Sequence, residues 1–246
     1  MLSRCESDGH KKMQTVMITG ADRGIGFAMC ELFAEHGWRV FAGRFLENWK
    51  ELDGLKERYP DTVSLIPLDV GNTESVREAA GMVAAGLADW ETGALDMLIN
   101  CAGIAGGNDP EAIRRLCNVN SVGALRMTEA FLPLMEKGAK RLCYVSSEAG
   151  CISLAHRQEN FAYCMSKSAL NMAVRLLFNK LRPEGFTFRL YHPGWVNSYM
   201  GGDTKSTKGK FEPEDAARTA YGQFTQDRDW EDALVMMDVR NEAWPF

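Results

Sequence analysis

The sequence predicts an α/β fold, with a doubly wound, seven-stranded and mostly parallel sheet that carries helices on both faces. From residue 13 onward, short apolar or β-branched runs alternate with longer helical patterns. Most of these runs are apolar throughout, as expected when helices cover both faces of a parallel sheet. The connections between elements are short, which is typical of doubly wound sheets.

The predicted elements follow one another in a regular order. Strands are expected at 15–19, 39–42, 62–68, 95–100, 141–146, 187–191 and 233–238. Helices are expected near 26–36, 47–58, 73–90, 110–137, 161–182 and 213–227. In the first helix, apolar residues recur at three- and four-residue steps and form one stripe: Ile25, Met29, Leu32 and Phe33. Gly37 follows this stripe as a C-cap.

We expect one domain over residues 13–246, preceded by a disordered polar tail over 1–12. A chain of 246 residues suits one large domain or two small ones. We find no internal repeat, low-complexity tract or long linker in the sequence. The sizeable irregular stretch at 197–211 is rich in Gly, Thr and Lys, which predicts a mobile loop.

Composition and charge exclude several classes of protein. Hydrophobic residues make up 46% of the chain and charged residues 25%, as in ordinary globular proteins. The formal net charge is −5 without a block of like charges, which argues against a nucleic-acid or anionic-membrane surface. Residues 1–12 are polar, and no run reaches membrane-spanning length. We therefore expect a cytoplasmic protein that binds neither nucleic acid nor membrane.

The cysteines do not form a recognisable disulfide or metal pattern. There are seven, they include no C-x-x-C pair, and several lie inside apolar runs. Buried, reduced thiols explain this pattern better than disulfides or a zinc site, so we predict no metal. A redox or catalytic cysteine is the alternative.

A glycine-rich turn, TGADRGIG at 19–26, connects the first predicted strand directly to the first helix. Glycines there let the backbone approach a pyrophosphate, and the helix N-terminus offers free N–H groups and a positive dipole end. Glycines in a tight turn alone would be weak evidence, but the strand–glycine–helix context favours a dinucleotide site. Its candidate cofactor-binding residues are Gly20, Asp22, Arg23, Gly24, Ile25 and Gly26.

Tyr163 and Lys167 are four residues apart within a predicted helix, so they share one face. A free phenol titrates near pH ~10 and is too weak a base for neutral conditions. Lowering that pKa to about 7 takes roughly 4 kcal/mol, the interaction with an ammonium about 4 Å away at an effective dielectric constant of about 20. We therefore predict that Lys167 makes Tyr163 a usable general acid/base. Alone, a surface tyrosine beside a solvated lysine would be the simpler interpretation.

These motifs resemble the short-chain dehydrogenase/reductase family, and the resemblance covers nearly the whole chain. It rests on the TGxxxGxG spacing, on Y-x-x-x-K after a strand that ends in Ser146 and Ser147, and on HPGWVNS at 192–198. The short segment after the last motif and the final residues 238–246 are similar to compact family members of the C-factor and sniffer carbonyl reductase type. The resemblance implies a Rossmann fold and an oxidoreductase that uses NAD(P).

The resemblance also implies the remaining cofactor-binding residues. LDV at 68–70 resembles the family's adenine-contacting step, and NCAG at 100–103 resembles its NNAG motif, with Cys101 in place of the second asparagine. HPGWVNS resembles the PGxVxT segment beside the nicotinamide, with Ser198 in place of threonine. The implied residues are Asp69, Val70, Asn100, Ala102, Gly103, Pro193, Gly194, Val196 and Ser198, together with Tyr163 and Lys167.

The resemblance likewise implies catalytic roles for Ser147, Tyr163, Lys167 and Asn120. Ser147 would polarise the substrate oxygen, and Asn120 would hold a water that links the lysine to bulk solvent. A turn serine and a helix-kink asparagine are the structural alternatives. The segment between Ser147 and Tyr163 is a few residues longer than is usual in the family. The extra residues fall within 152–160, either as a loop lining the substrate entrance or as a solvated insertion.

Two arginines bear on the choice of nicotinamide cofactor. Arg44 lies at the end of the second strand, where NAD-preferring relatives carry an acid, and Arg23 lies directly before Gly24. A guanidinium attracts a 2′-phosphate through charge-assisted bidentate bonds. We therefore predict a preference for NADP(H), with NAD(H) as the second candidate. Two solvent-facing arginines are the alternative.

The expected function is reduction of a carbonyl to a secondary alcohol, or the reverse reaction, with a small-molecule substrate. A non-catalytic nicotinamide-nucleotide sensor or signalling protein on the same fold is the alternative. An epimerase or dehydratase acting on nucleotide sugars ranks low, because it usually needs a larger C-terminal substrate domain. Helices in 110–137 and 161–182 are expected to pair across a symmetry axis in a homodimer or homotetramer.

Overall fold

One eight-stranded sheet organises the chain in the computed structural model, which describes residues 13–88, 93–200 and 202–246. The strand order is β3-β2-β1-β4-β5-β6-β7-β8. Strands β1 to β7 pair in parallel, and β8 pairs antiparallel with β7. The strands are β1 (Thr15–Ile18), β2 (Arg39–Arg44), β3 (Val63–Pro67), β4 (Met97–Asn100), β5 (Arg141–Val145), β6 (Thr187–His192), β7 (Met236–Asp238) and β8 (Ala243–Trp244).

Seven α-helices connect and cover these strands within the described ranges. They are α1 (Gly24–Glu35), α2 (Glu51–Arg58), α3 (Thr73–Ala88), α4 (Pro110–Cys117), α5 (Gly123–Met135), α6 (Phe161–Leu181) and α7 (Pro213–Thr225). A π-helical turn at Asn118–Val122 joins α4 to α5, so the predicted helix over 110–137 is one helical run with a bulge. None of the described helices is long and apolar enough to cross a membrane.

Apolar side chains pack on both faces of the sheet, which explains the unbroken apolar strands. On one face, Phe131 of α5 and Val174 of α6 are fully buried in the same cluster as strand residue Leu98. On the other face, Phe33 of α1 and Phe224 of α7 pack in a second cluster. The doubly wound fold class is therefore confirmed.

The sheet differs from the prediction by one strand. The two-residue β8 places Trp244 opposite Met236 of β7. The sequence has no apolar run there from which this strand could be predicted. Two other expectations fall outside the described residues: the polar tail over 1–12, and residues 89 and 90 at the end of the third predicted helix.

The order of the strands determines where a ligand site forms. The chain crosses from β3 back to the far side of β1, where β4 begins the second half of the sheet. Such a switch point opens a crevice at the carboxyl ends of the parallel strands. Ser147, Gly20 and Gly194 follow β5, β1 and β6, so the topology brings the predicted motifs to this edge.

Candidate active site

A cavity of about 1280 Å³ lies along this edge of the sheet. Its walls come mainly from the segments that follow strands β1 to β6, from the first turns of α6 and from the β7–β8 hairpin. Within the described residues, no cluster of His, Cys, Asp or Glu is arranged to hold a metal.

The glycine turn has the shape of a phosphate cradle. A side chain at Gly26 would bring its Cβ within 2.1 Å of the backbone oxygen of Gly20, so this close approach requires glycine. Gly24 has φ +62 and nothing within 4 Å of the position of a Cβ, so its open side faces free space. No side chain caps the start of α1. Uncapped N–H groups at a helix start fit a dinucleotide pyrophosphate.

Asp22 lines the cavity but has a structural task. Its buried carboxylate accepts the N–H groups of Phe45 and Leu46, at 3.0 Å and 2.9 Å. These bonds tie the glycine turn to the segment after β2. Phe45 and Leu46 consequently form the cavity wall there, a pair that sequence reasoning did not identify.

The two predicted cofactor arginines are placed differently. Arg23 lines the cavity, where its guanidinium lies 4.7 Å from the ring centroid of Trp49 and pairs with Asp203 at 3.1 Å. Arg44 is not among the cavity-lining residues, because its guanidinium is 2.7 Å from the Asp53 carboxylate. The Nε atom of Arg44 is buried without a hydrogen-bond partner in the described chain. In this arrangement Arg44 does not border the cavity, and its predicted contact with the cofactor stays a prediction.

The residues predicted to contact the adenine and those of the NNAG-like segment border the same cavity, with one exception. The lining residues are Asp69, Val70, Ala102 and Gly103. Asn100 is buried just beneath, and neither polar atom of its side chain has a hydrogen-bond partner among the described residues. Burial raises the pKa of the neighbouring Cys101 thiol to about 12, so this cysteine is not a reactive thiolate.

The segment after β6 also lines the cavity as predicted. Pro193, Gly194, Val196 and Ser198 all border it. Val196 forms an isolated bridge with Phe211, which holds the irregular stretch 197–211 against the cavity mouth. In this stretch Lys205 pairs with Glu212, whereas Lys210 lines the cavity.

Ser147, Tyr163 and Lys167 meet in the middle of the cavity wall. Tyr163 and Ser147 both line the cavity, and the Ser147 hydroxyl lies close enough to lower the pKa of the Tyr163 phenol. The Lys167 ammonium donates to the backbone oxygen of Val145 at 2.9 Å and lies 5.9 Å from the centroid of the Tyr163 ring. Ser147 and Lys167 are buried, with 7% and 3% of their surfaces exposed. The predicted trio is therefore assembled around one point.

The protonation of the trio differs from the prediction. Burial raises the pKa of Tyr163 above its ordinary value of 10.0, and the nearby Ser147 hydroxyl offsets this only in part. Burial also lowers the pKa of Lys167 from 10.5 to about 8. The expected acidification of the phenol by the amine is not seen, because burial is the largest influence on the Tyr163 pKa and raises it. Tyr163 is therefore protonated at neutral pH and can act as a proton donor.

Asn120 lies at the centre of the π-helical turn and close to Lys167. A Cβ at Gly103 would lie 3.5 Å from the Asn120 side-chain oxygen and 3.8 Å from the Lys167 ammonium. The Asn120 amide exchanges two hydrogen bonds of 2.8 Å with the backbone of Ile104 and donates to Ser166 at 2.9 Å. Its side chain thus fixes the loop after β4, and a water-holding role remains a prediction.

The inserted segment at 152–160 is exposed along its length and borders the cavity in part. Three of its residues border the cavity: His156, Arg157 and Asn160. Arg157 forms an ion pair with Glu148, which directly follows Ser147. The insertion therefore borders the cavity while remaining exposed, and its role at the substrate entrance stays a prediction.

Several lining residues had not been predicted as functional. His192, Trp195 and Trp244 border the cavity with Ser147 and Tyr163. Trp195 could have been suspected, since it is a large apolar residue inside the Pro-Gly segment. Trp244 could not, because only the β7–β8 pairing brings it back to the site.

Comparison with known proteins shows which family the chain matches. Residues 14–209 match the family model described as short chain dehydrogenase. The C-signal protein of Myxococcus xanthus is 45% identical over 118 residues, covering 45% of this chain and 71% of that protein. The mitochondrial D-beta-hydroxybutyrate dehydrogenase of Bos taurus is 31% identical over 191 residues, 74% of this chain. This alignment spans 54% of the length of the bovine enzyme.

Solved structures share the fold along most of the chain. An NADPH-bound carbonyl reductase from chicken fatty liver superposes with a TM-score of 0.82 at 25% identity, covering 96% of this chain and all of that one. The carbonyl reductase Sniffer of D. melanogaster superposes with a TM-score of 0.84 at 21% identity, covering 95% of this chain and all of that one. At that identity, the second likeness concerns the fold alone.

Proposed function

The chain belongs to the short chain dehydrogenase family of oxidoreductases, which act on CH–OH and C=O groups, and we propose that it reduces a carbonyl compound with NADPH. The observation that carries this proposal is the meeting of Ser147, Tyr163 and Lys167 beside a phosphate cradle in one cavity. Binding alone would not need a buried proton donor at that point.

The residues of the trio divide the chemistry between them. When bound, the nicotinamide supplies the hydride. Tyr163 delivers the proton to the carbonyl oxygen, and the Ser147 hydroxyl donates a hydrogen bond to the same oxygen as negative charge develops on it. Lys167 would hold the nicotinamide ribose and restore the proton of Tyr163. Asn120 would hold the water through which that proton arrives.

The test of this function is consumption of NADPH by the purified protein in the presence of a panel of aldehydes and ketones. We expect turnover with at least one carbonyl compound and recovery of the matching alcohol. Tight NADPH binding without turnover on any substrate of the panel would favour the sensor alternative. The likeness of 118 residues to the C-signal protein supports keeping that alternative under test.

The proposed cofactor preference is for NADPH, with Arg23 as the main contact for the 2′-phosphate. Arg23 borders the cavity and its partner Asp203 is almost fully exposed, so this surface ion pair is a weak competitor. Arg44 must leave Asp53 before it can contribute. The chicken carbonyl reductase, which is NADPH-bound, supports the same preference.

Replacing the cavity-facing arginine tests the preference. We expect Arg23→Met to raise KM for NADPH by roughly 10-fold or more, since a charge-assisted hydrogen bond is lost. KM for NADH should stay within about two-fold of wild type, because NADH carries no 2′-phosphate. We expect Arg44→Met to have the smaller effect of the two. Steady-state kinetics with both cofactors measure this, and an unchanged NADPH preference in Arg23→Met would refute the assignment.

We also propose that the chain forms a homodimer or larger homo-oligomer through α6. Four apolar side chains on this helix are about half exposed or more: Phe161, Met165, Met172 and Leu176. Their spacing places them along one side of the helix, and such apolar patches mark interfaces. Light scattering after size exclusion should show an oligomer for wild type and a monomer for the double variant Met172→Glu, Leu176→Glu. A monomeric wild type at micromolar concentration would contradict the proposal.

A further inference from the structure

His192 is a buried histidine at the end of β6 that neither the fold nor the proposed chemistry has used. Only 7% of its surface is exposed, and it lines the cavity. Its Nδ1 atom faces two backbone N–H groups, that of Glu148 at 3.3 Å and that of Gly194 at 3.4 Å. The ring therefore touches the residue that directly follows Ser147.

These contacts determine which ring nitrogen carries the proton. A nitrogen that accepts from N–H groups must be unprotonated, so the neutral ring carries its proton on Nε2. Burial also lowers the pKa of His192, which keeps the ring neutral around pH 7. In the described part of the chain, no group accepts a hydrogen bond from Nε2.

The orientation of the ring is fixed by the β7–β8 hairpin. The Trp244 ring packs on His192 with 5.1 Å between centroids and an angle of 74°. The Trp244 indole donates to Asp238 at 3.1 Å, and Asp238 also accepts the backbone N–H groups of Arg240 and Glu242. The carboxylate thus anchors the tryptophan, and the tryptophan holds the imidazole.

We infer that His192 binds the substrate by donating a hydrogen bond from Nε2 to a second acceptor oxygen, beside the carbonyl that is reduced. Tyr163 and Ser147 hold the reacting oxygen, and the imidazole, which contacts the peptide after Ser147, faces the same cavity. The favoured substrates are therefore dicarbonyls and keto esters rather than simple ketones. This inference rests on the proposed carbonyl reduction.

Two variants separate the two nitrogen positions of the ring. His192→Asn keeps an acceptor near the position of Nδ1, facing Glu148 and Gly194, but places no N–H at the position of Nε2. His192→Gln keeps an N–H near the position of Nε2. The substrates are a matched pair, diacetyl and butanone, which differ by one C=O replaced with CH₂, and ethyl acetoacetate serves as the acceptor one carbon further away.

For His192→Asn, we expect kcat/KM to fall about 10-fold with diacetyl or with ethyl acetoacetate, and by less than about two-fold with butanone. His192→Gln should retain more activity toward diacetyl and ethyl acetoacetate, the substrates with a second acceptor oxygen, than His192→Asn does. Because each variant is compared with wild type on the same substrates, the greater intrinsic reactivity of diacetyl cancels. NADPH affinity and Tm should match those of wild type.

Each other result overturns the inference. Equal losses on all three substrates would mean that His192 only shapes the wall. If wild type is active and His192→Asn has unchanged kinetics, His192 does not contact the substrate. The proposed carbonyl reduction would still stand. A wild type that reduces none of these compounds, nor any other carbonyl, would refute the proposed reduction and this inference with it.

Discussion

Replacing Tyr163 with phenylalanine is expected to lower kcat for carbonyl reduction by roughly 10²- to 10⁴-fold, the usual contribution of a positioned general acid. The substitution removes one hydroxyl and keeps the ring. That hydroxyl lies near Ser147 and retains its proton because burial raises its pKa. NADPH affinity should change by less than about two-fold, since the lost group acts on the substrate.

Tyr221→Phe is the matched control for this loss. Tyr221 lies on α7 and packs edge-to-face against Phe33 at 4.8 Å between ring centroids, outside the cavity. Stopped-flow measurement of NADPH oxidation and fluorescence titration of NADPH give the two readouts. A Tyr163→Phe protein that keeps more than about a tenth of the wild-type kcat would mean that another group donates the proton.

Lys167→Met is expected to abolish most activity and, at the same time, to stabilise the fold. Burial lowers the pKa of this ammonium from 10.5 to about 8, which corresponds to roughly 3 kcal/mol of destabilisation at pH 7. Methionine removes the buried charge but leaves the Val145 oxygen without its donor, which costs about 1 kcal/mol. We therefore expect a net gain of about 2 kcal/mol in the free energy of unfolding.

The pH dependence of this gain has a definite sign. Below pH 8 the folded and unfolded proteins both carry the charged lysine, so the cost of burial is fully present. Between pH 8 and 10.5 the folded state binds fewer protons, and wild-type stability rises relative to that of the variant. Urea unfolding at pH 7 and pH 10 measures the gap, which should shrink at the higher pH.

Lys180→Met controls for the loss of a lysine on the same helix. Lys180 is exposed in the last turn of α6. Its removal should change stability by less than about 0.5 kcal/mol at either pH. Equal stability of wild type and Lys167→Met at pH 7 would show that the buried amine is better solvated than its surroundings indicate, so that burial costs it little.

The sequence patterns predicted the sheet because burial on both faces leaves a strong apolar signal in each strand. The β8 strand left none, since Ala243 and Trp244 are two residues whose pairing with β7 depends on the preceding turn. The π-helical turn at Asn118–Val122 was equally hidden, because one extra residue in a helix barely disturbs apolar spacing. Local pattern therefore sufficed for the fold class but not for the bulge or the last strand.

The positions of the candidate site residues were predictable where helix spacing and strand ends determine them. Helical spacing placed Tyr163 and Lys167 on one face, and strand ends placed Ser147 beside them. The electrostatics were not predictable, because the pKa of Tyr163 depends on burial by distant segments. The direction of the Arg44 side chain is set by its ion pair with Asp53 of the next helix. Residue spacing does not reveal which rotamer a side chain adopts.

The most direct test of the central claim is reduction with NADPH that carries deuterium at both C4 positions. We expect the alcohol product to hold one deuterium on the carbon that had been the carbonyl carbon, as seen by mass spectrometry and NMR. We also expect Tyr163→Phe to form this product far more slowly. NADPH that binds tightly but yields no deuterated alcohol from any carbonyl compound would contradict the central claim, leaving a nucleotide receptor in place of a reductase.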